Sequence, residues 1–340
     1  MRRTGAKIGA VGTIALLAVC LTACQQQEVP QPHVTNTAEE VVTQNQYATI
    51  AQQTEQALAD ADKKGDANAL TARIGQPARA QRTAQYKLRS LKSDTKISTF
   101  AIDAQAAAVS SGAAYPRSLV AFGAPTDGQN QRTLTAWQQE NARANYQLWG
   151  QVSLFPTVEL PTLASTLDDA AGYPKLNAGN YLTDPATVTA AYAAYNASQK
   201  VSGVPFQKDD PVFTQLKGQL DALRQNVGNF GTISMSFADS GTAPVVVSTD
   251  DRGLVVIGEM KYSTKYESKS RVQPITFKGT PESLMLSGSK DNPDVEVTVD
   301  KPLTSEFSLL VAFYIPAKNA GETVQVIGAS SNVLESVKVD

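Results

Sequence analysis

Cysteine and histidine are almost absent from this chain: two Cys and one His in 340 residues. Both cysteines, Cys20 and Cys24, lie within the first 24 positions, and His33 follows nine residues later, between Pro32 and Val34. Everything beyond residue 33 lacks both side chains. That excludes Ser-His-Asp and Cys-His nucleophile pairs from the region long enough to fold. It also excludes the common zinc sites, whose ligands are mostly Cys and His. No metal or other cofactor is expected. Carboxylate, Lys, Tyr or Ser chemistry stays open. Net charge is nearly absent too, −2 at neutral pH, which argues against a nucleic-acid partner. Past the first two dozen residues no apolar run approaches membrane-spanning length.

One cysteine sits in an informative place. Arg2, Arg3 and Lys7 form a basic start, residues 8–21 are apolar apart from Gly and Thr, and Leu21-Thr22-Ala23-Cys24 closes the run. The apolar stretch is too short for a comfortable membrane span. This order resembles the lipobox of bacterial lipoprotein signal peptides. The resemblance implies cleavage before Cys24, a diacylglyceryl thioether on its sulfur, and a freed amine open to acylation. Ser and Ala cannot take that thioether. Each acyl chain contributes about 0.8 kcal/mol per buried CH₂, and two chains give stable anchoring where one is marginal. Arg2-Arg3 also raises twin-arginine export, but Thr4-Gly5-Ala6 lacks the apolar residues that route prefers. The general secretory route is therefore favoured. The expected location is the extracytoplasmic face of the cell membrane. The mature chain then has no disulfide and no free thiol.

Residues 1–23 read as the signal peptide and 24–46 as a flexible Gln/Pro/Thr/Asn-rich tether. About 20 such residues span roughly 25 Å on average and about 70 Å at most. Roughly 290 residues remain, enough for two domains. With 42% hydrophobic residues a packed core is expected. In the first half, helices are predicted over 47–64, 67–74 and 77–92, ended or opened by Gly65, Gly75 and Pro77. Strands are predicted over 97–103, 117–123 and 133–155, with Pro125-Thr126-Asp127-Gly128 as a turn. Residues 161–183 read as the connection. The second half repeats the order. Asp184-Pro185 and Asp210-Pro211 open helices. Strand-like runs follow at 232–237, 244–248, 254–266, 295–299, 307–315, 323–327 and 333–339. The expected class is α+β, with two domains at 47–160 and 184–340, each laying N-terminal helices on a mostly antiparallel sheet.

This order is similar to the nuclear-transport-factor-2-like (cystatin-like) cone, in which a curved sheet wraps a long helix. Residues 61–86 (ADKKGDANALTARIGQPARAQRTAQY) and 184–197 (DPATVTAAYAAYNA) resemble segments of actinobacterial surface lipoproteins of unknown function with such units in tandem. The resemblance implies a fold more than an activity. The second half has more strand-like runs than a minimal cone.

The motifs that could carry chemistry are weak. Residues 60–68 resemble the start of a calcium loop, but Lys64 and Thr71 stand where oxygen ligands belong. A helix end with a polar turn is the better reading. Ser93-Asp-Thr-Lys96 and Ser287-Gly-Ser-Lys290 match a Ser-x-x-Lys spacing, but neither Ser opens a helix, as that chemistry requires. The acidic pairs Asp168-Asp169, Asp209-Asp210 and Asp250-Asp251 put adjacent side chains on diverging directions. A glycosidase needs two carboxylates facing each other at about 5–9 Å.

Two clusters remain as candidate binding residues. On the helix at 77–92, Arg79, Arg82, Tyr86 and Arg89 share a face with no acid in the helix. That face suits anionic headgroups or wall polymers, or it pairs with Glu55, Asp60 or Asp62 of the preceding helix. In the strand at 133–155, strict alternation puts Trp137, Arg143 and Trp149 on one face and Tyr146 on the other. These aromatics line a ligand pocket or pack a core. The expected function is a non-catalytic, lipid-anchored envelope protein binding a wall polymer, a lipid or another envelope protein. The alternatives are an extracytoplasmic enzyme with a carboxylate/Tyr/Arg pocket and a solute-binding receptor.

Overall fold

A computed structural model describes residues 42–340, apart from 71, 98–99, 101, 105, 107, 111–114, 125–130, 157, 160, 164–176, 199–202, 209, 270–273, 291, 293 and 321–322. Cys24, His33, the expected turn at 125–128 and the pair Asp168-Asp169 lie outside the described residues. The chain from Ala38 to Asp340 clusters as one compact unit.

Helix α1 (Gln44–Lys64) starts three residues before its expected position because Thr43 and Gln46 form a reciprocal capping box. Its buried stripe is Tyr47, Ile50, Ala51, Thr54, Leu58 and Ala61, the spacing of one helix face. Gly65 ends it in the left-handed region, at φ 64°. The helix expected at 67–74 shrinks to a 3₁₀ turn, Ala67–Ala69. Ile74 instead bridges Leu148 as an extended residue, with Leu148 N donating to Arg73 O and Gly75 N to Leu148 O. Helix α2 (Ala78–Leu91) follows. The described residues of 97–103 form no strand.

Strands β1 (Ala108–Ser110), β2 (Arg117–Gly123), β3 (Thr133–Gln139) and β4 (Gln147–Leu154) form an antiparallel meander. The single long strand expected at 133–155 is therefore a hairpin. Helix α3 (Val188–Ser198) begins later than Asp184, whose side chain accepts from Ala186 N in a preceding turn. Helix α4 (Pro211–Val227) has Asp210 as its cap, accepting from Phe213 N at 2.9 Å, and Pro211 in its first turn. Then come β5 (Gly231–Asp239), β6 (Val245–Ser248), β7 (Leu254–Ser268) and β8 (Ile275–Lys278). Helix α5 (Pro281–Ser287) and strands β9 (Glu296–Val299), β10 (Leu303–Ile315), β11 (Gln325–Ala329) and β12 (Val333–Val339) complete the chain. Strands β8 and β9 form a separate two-stranded ribbon.

The remaining ten strands form one sheet, ordered β1-β2-β3-β4-β11-β10-β7-β5. Long β10 pairs with β7 over residues 303–315 on one edge, and with β12 then β11 on the other. Strand β6 extends the far edge of β7 beyond β5. The two halves of the chain meet where β11 pairs with β4, Gly328 opposite Leu154 and Ala329 opposite Ser153. The class is mixed α+β, with five α-helices among the described residues and a large antiparallel sheet. A single sheet thus runs through both halves.

Three apolar clusters show how the sheet is covered. Helix α1 packs on Leu119, Ala121, Trp137 and Leu148 of β2–β4. The opposite face of those strands, with Val120, Leu134, Trp149 and Val152, packs on Val255, Ile257, Leu310 and Ile327 of the second half. The reverse of that second-half surface, with Val256, Met260, Val311 and Phe313, is covered by Val188 and Tyr192 of α3 and Leu216 of α4. The order of layers is helix, sheet, sheet, helix. The two inner surfaces meet closely at Gly150, where an added Cβ would stand 2.3 Å from Leu310 Cδ1. Tyr192 Oη donates to Asp210 Oδ1 at 2.6 Å, tying α3 to the cap of α4.

Candidate functional site

The basic face of α2 turns inward. Arg82 is 1% exposed, and its Nε lies 3.4 Å from Asp62 Oδ1 of α1. Tyr86 Oη donates to the same carboxylate oxygen at 2.6 Å. Arg89 donates to the Asp62 backbone carbonyl, and its guanidinium lies 5.6 Å from the Tyr86 ring centroid. Arg79 reaches the Ala67 carbonyl at 3.5 Å. The guanidinium of Arg82 also stands 4.7 Å from the Phe100 ring centroid. Three of the four face residues thus converge on Asp62, Arg82 as an ion pair and Tyr86 and Arg89 by hydrogen bonds. Burial lowers the Arg82 pKa from the ordinary guanidinium value, while Asp62 pulls it back up. Burial, and then the bond to Asp62, holds the Tyr86 phenol well above its ordinary value.

One residue earlier on α2, Gln81 starts a second buried chain of polar contacts. Its Nε2 donates to Ser308 Oγ of β10 at 2.9 Å, and Ser308 donates to Glu259 Oε1 of β7 at 2.7 Å. Thr242 donates to Glu259 Oε2 at 3.0 Å. Lys261 Nζ lies 3.1 Å from Glu259 and 2.5 Å from Glu335 of β12. Glu259 is 3% exposed, and these partners offset the cost of its burial. Burial pushes the Lys261 pKa down, but the Glu335 and Glu259 carboxylates outweigh it and leave the ammonium above its ordinary value.

Between these two networks lies a cleft of about 490 Å³, with α2 on one side and the ends of β4, β11 and β12 on the other. Gln81, Arg82 and Gln85 enter it from α2, Gln151 and Ser153 from β4, and Ser330 and Ser331 from the turn after β11. Lys96, Phe100 and Gln131 line it too, with the apolar Ile97, Val152 and Val333. No Asp or Glu lines it among the described residues. The cleft offers amides, hydroxyls and two cations beside one aromatic ring. These groups donate to and accept from hydroxyls and anionic oxygens. They supply no carboxylate pair for acid–base chemistry.

The other expected site residues are not brought together. Trp137 is fully buried under α1, with Nε1 donating to Thr54 Oγ1 at 3.1 Å and its ring edge-on to Tyr47. Trp149 is fully buried on the opposite face, in the layer between the two sheet surfaces. Arg143 is exposed in the turn between β3 and β4, where its N–H donates to Asn141 Oδ1. The expectation that Trp137, Arg143 and Trp149 share a face is therefore corrected. The turn resets the alternation, and Trp137 pairs with Leu148 after a register shift, which leaves Trp149 facing the other way.

The weaker motifs resolve as local structure. Asp60 to Asn68 is a helix end with a left-handed Gly65, as expected, and no metal-type cluster of three or more His, Cys, Asp or Glu occurs among the described residues. Ser287 closes α5 before Gly288 rather than opening a helix. Asp251 sits in the turn before β7 and accepts from Gly253 N at 3.1 Å. No family model, curated protein or solved structure gives a significant match to the chain. The cleft residues Gln85, Gln131 and Gln151 left no mark on the sequence, because isolated glutamines carry no spacing signal. Only Arg82 of the cleft was a candidate beforehand.

Two predictions follow from these networks. Asp62→Ala should lower unfolding stability by about 1–3 kcal/mol, since it strips a buried guanidinium of its carboxylate. Lys87→Ala, on the exposed side of α2, should stay within about 0.5 kcal/mol of the parent. Equal urea midpoints for the two variants would show that the Asp62 contacts carry no weight. The second prediction concerns alkali. Lys261 and Tyr86 both have folded-state pKa values above their unfolded ones. Their contribution is complete below the unfolded values, about 10, and is lost as pH rises through the folded values. The urea midpoint should therefore fall progressively above about pH 10, and a flat profile to about pH 11 would contradict it.

Proposed function

We propose that this chain is an exported, lipid-anchored envelope protein without catalytic activity, which binds a hydroxyl-rich wall polymer in the cleft beside α2. The observation that carries the reading is the lining of that cleft: four Gln and three Ser with Arg82, Lys96 and Phe100, three aliphatic side chains, and no acid among the described residues. Sugar hydroxyls match amide and hydroxyl partners in both directions, and an aromatic ring offers an apolar face to a sugar ring. The Lys96 charge at the cleft favours acidic substituents on the polymer.

The anchor reading rests on the order of basic residues, apolar run and Leu21-Thr22-Ala23-Cys24. In this reading attachment is through the thioether on Cys24; among the described residues no helix is long and apolar enough to cross a membrane. The likeness to tandem nuclear-transport-factor-2-like units belongs with this proposal. Each half lays helices on its own portion of the sheet, which supports reading the chain as two such units fused through β4 and β11.

The test uses oligosaccharides released from peptidoglycan by muramidase. Calorimetric titration of the full chain should show binding, and Gln85→Ala with Gln131→Ala should weaken it about tenfold, the value of one or two lost hydrogen bonds. Absence of binding, or binding indifferent to the double variant, would contradict the cleft assignment. Separately, Cys24→Ser should release the protein from the membrane fraction and abolish lipid labelling.

A further inference from the structure

A second cleft, of about 710 Å³, opens at the other end of α1. Asn45 and Gln46 of the first helical turn line it, together with Arg73, Arg117 of β2, and Tyr115 and Tyr146 just before β2 and β4. No Asp or Glu lines it among the described residues, and the first turn of α1 carries no acid. Among the described residues, the cleft therefore pairs the positive end of the helix with no carboxylate. The floor holds a buried hydroxyl. Tyr146 is 8% exposed, and its Oη meets no hydrogen-bond partner. Beside it, Arg117 Nε–H is also buried without an acceptor, and the Arg117 guanidinium stacks 4.5 Å from the Tyr115 ring centroid. Burial raises the Tyr146 pKa to about 12 while Arg117 draws it down, so guanidinium and phenol act on one another.

Buried donors are nearly always satisfied in folded proteins, and an exception calls for a ligand or another cause. Here two exceptions lie together at a cleft lined with cations. We propose that this cleft is a binding site for a phosphate group, held by Arg117 and Arg73 and completed by the Tyr146 hydroxyl. An oxyanion supplies acceptors that both unpartnered donors lack. A guanidinium recognises such an oxyanion through directional, charge-assisted hydrogen bonds. Tyr115 is 37% exposed, so the stacked Tyr115–Arg117 pair has room to move aside as the anion enters. The phosphate could be free or part of a phospholipid headgroup, and both present the same oxygens. This site is separate from the cleft beside α2 and does not rest on the wall-polymer reading.

The test titrates the full chain with inorganic phosphate and, in parallel, with glycerophosphoglycerol, the deacylated headgroup of phosphatidylglycerol. Binding of at least one probe is expected, with a loss of at least tenfold in Arg117→Gln. Tyr146→Phe should fold as well as the parent, because its hydroxyl has no partner to lose, and should bind several-fold more weakly. Binding of the diester alone assigns the site to headgroups, and binding of inorganic phosphate assigns it to free phosphate. If neither probe binds, or if Arg117→Gln and Tyr146→Phe both bind as the parent does, the proposal is overturned. Thermal unfolding of each variant separates a lost site from a lost fold.

Discussion

The antiparallel contact between β4 and β11 is the constraint on which the rest of the structure depends. It is short, with Gly328 opposite Leu154 and Ala329 opposite Ser153. Yet it converts two helix-then-strand halves into one sheet whose inner surfaces face each other. Val120, Trp149 and Val152 on one side and Ile257, Leu310 and Ile327 on the other are removed from water together. Each fully buried aliphatic side chain of this kind contributes about 1.5–3 kcal/mol. Neither half can bury that surface alone. Gly150 permits the approach, because any side chain there would collide with Leu310.

The same joint places α2. Lying between the first-half helices and the second-half strands, α2 sends Gln81 to Ser308 of β10 and Arg82 to Asp62 of α1. Its positive charge is spent largely on internal acceptors, so the helix acts as a bracket between α1 and the far strands. The cleft beside it exists because β4, β11 and β12 end near one another under this bracket. Its lining is largely polar for the same reason: strand ends and turns supply Ser330, Ser331 and Ser153, beside Val152 and Val333 of the same strands.

Much of this fold was legible in the sequence where the signal is local. Asp210-Pro211 marked the start of α4, Gly65 the end of α1, and alternation located β7 and β10 within a few residues. The capping box of Thr43 and Gln46 was missed although both residues stood in plain order. The failures share a physical cause. Trp137 and Trp149 could be assigned to one face only by assuming an unbroken strand, and the turn at Arg143 breaks it. Strand order could not be read, because β4 finds β11 across some 170 residues of chain and long-range pairing leaves no local pattern. Pairing of the α2 basic face with an acid of the preceding helix was legible as one alternative, and Asp62 of the three acids named is the partner. The glutamines of the first cleft and Tyr146 of the second are single residues whose meaning comes only from what stands beside them.

The central claim is that the two halves form one cooperative structure through the shared layer between β4 and β10. Native-state hydrogen exchange of the full chain, read by mass spectrometry as urea is raised in steps, tests it directly. Peptides from β3–β4 and from β7–β10 should share one opening free energy and one urea dependence. If the β3–β4 peptides open at markedly lower urea while β7–β10 keep full protection, the halves are independent and the account is wrong.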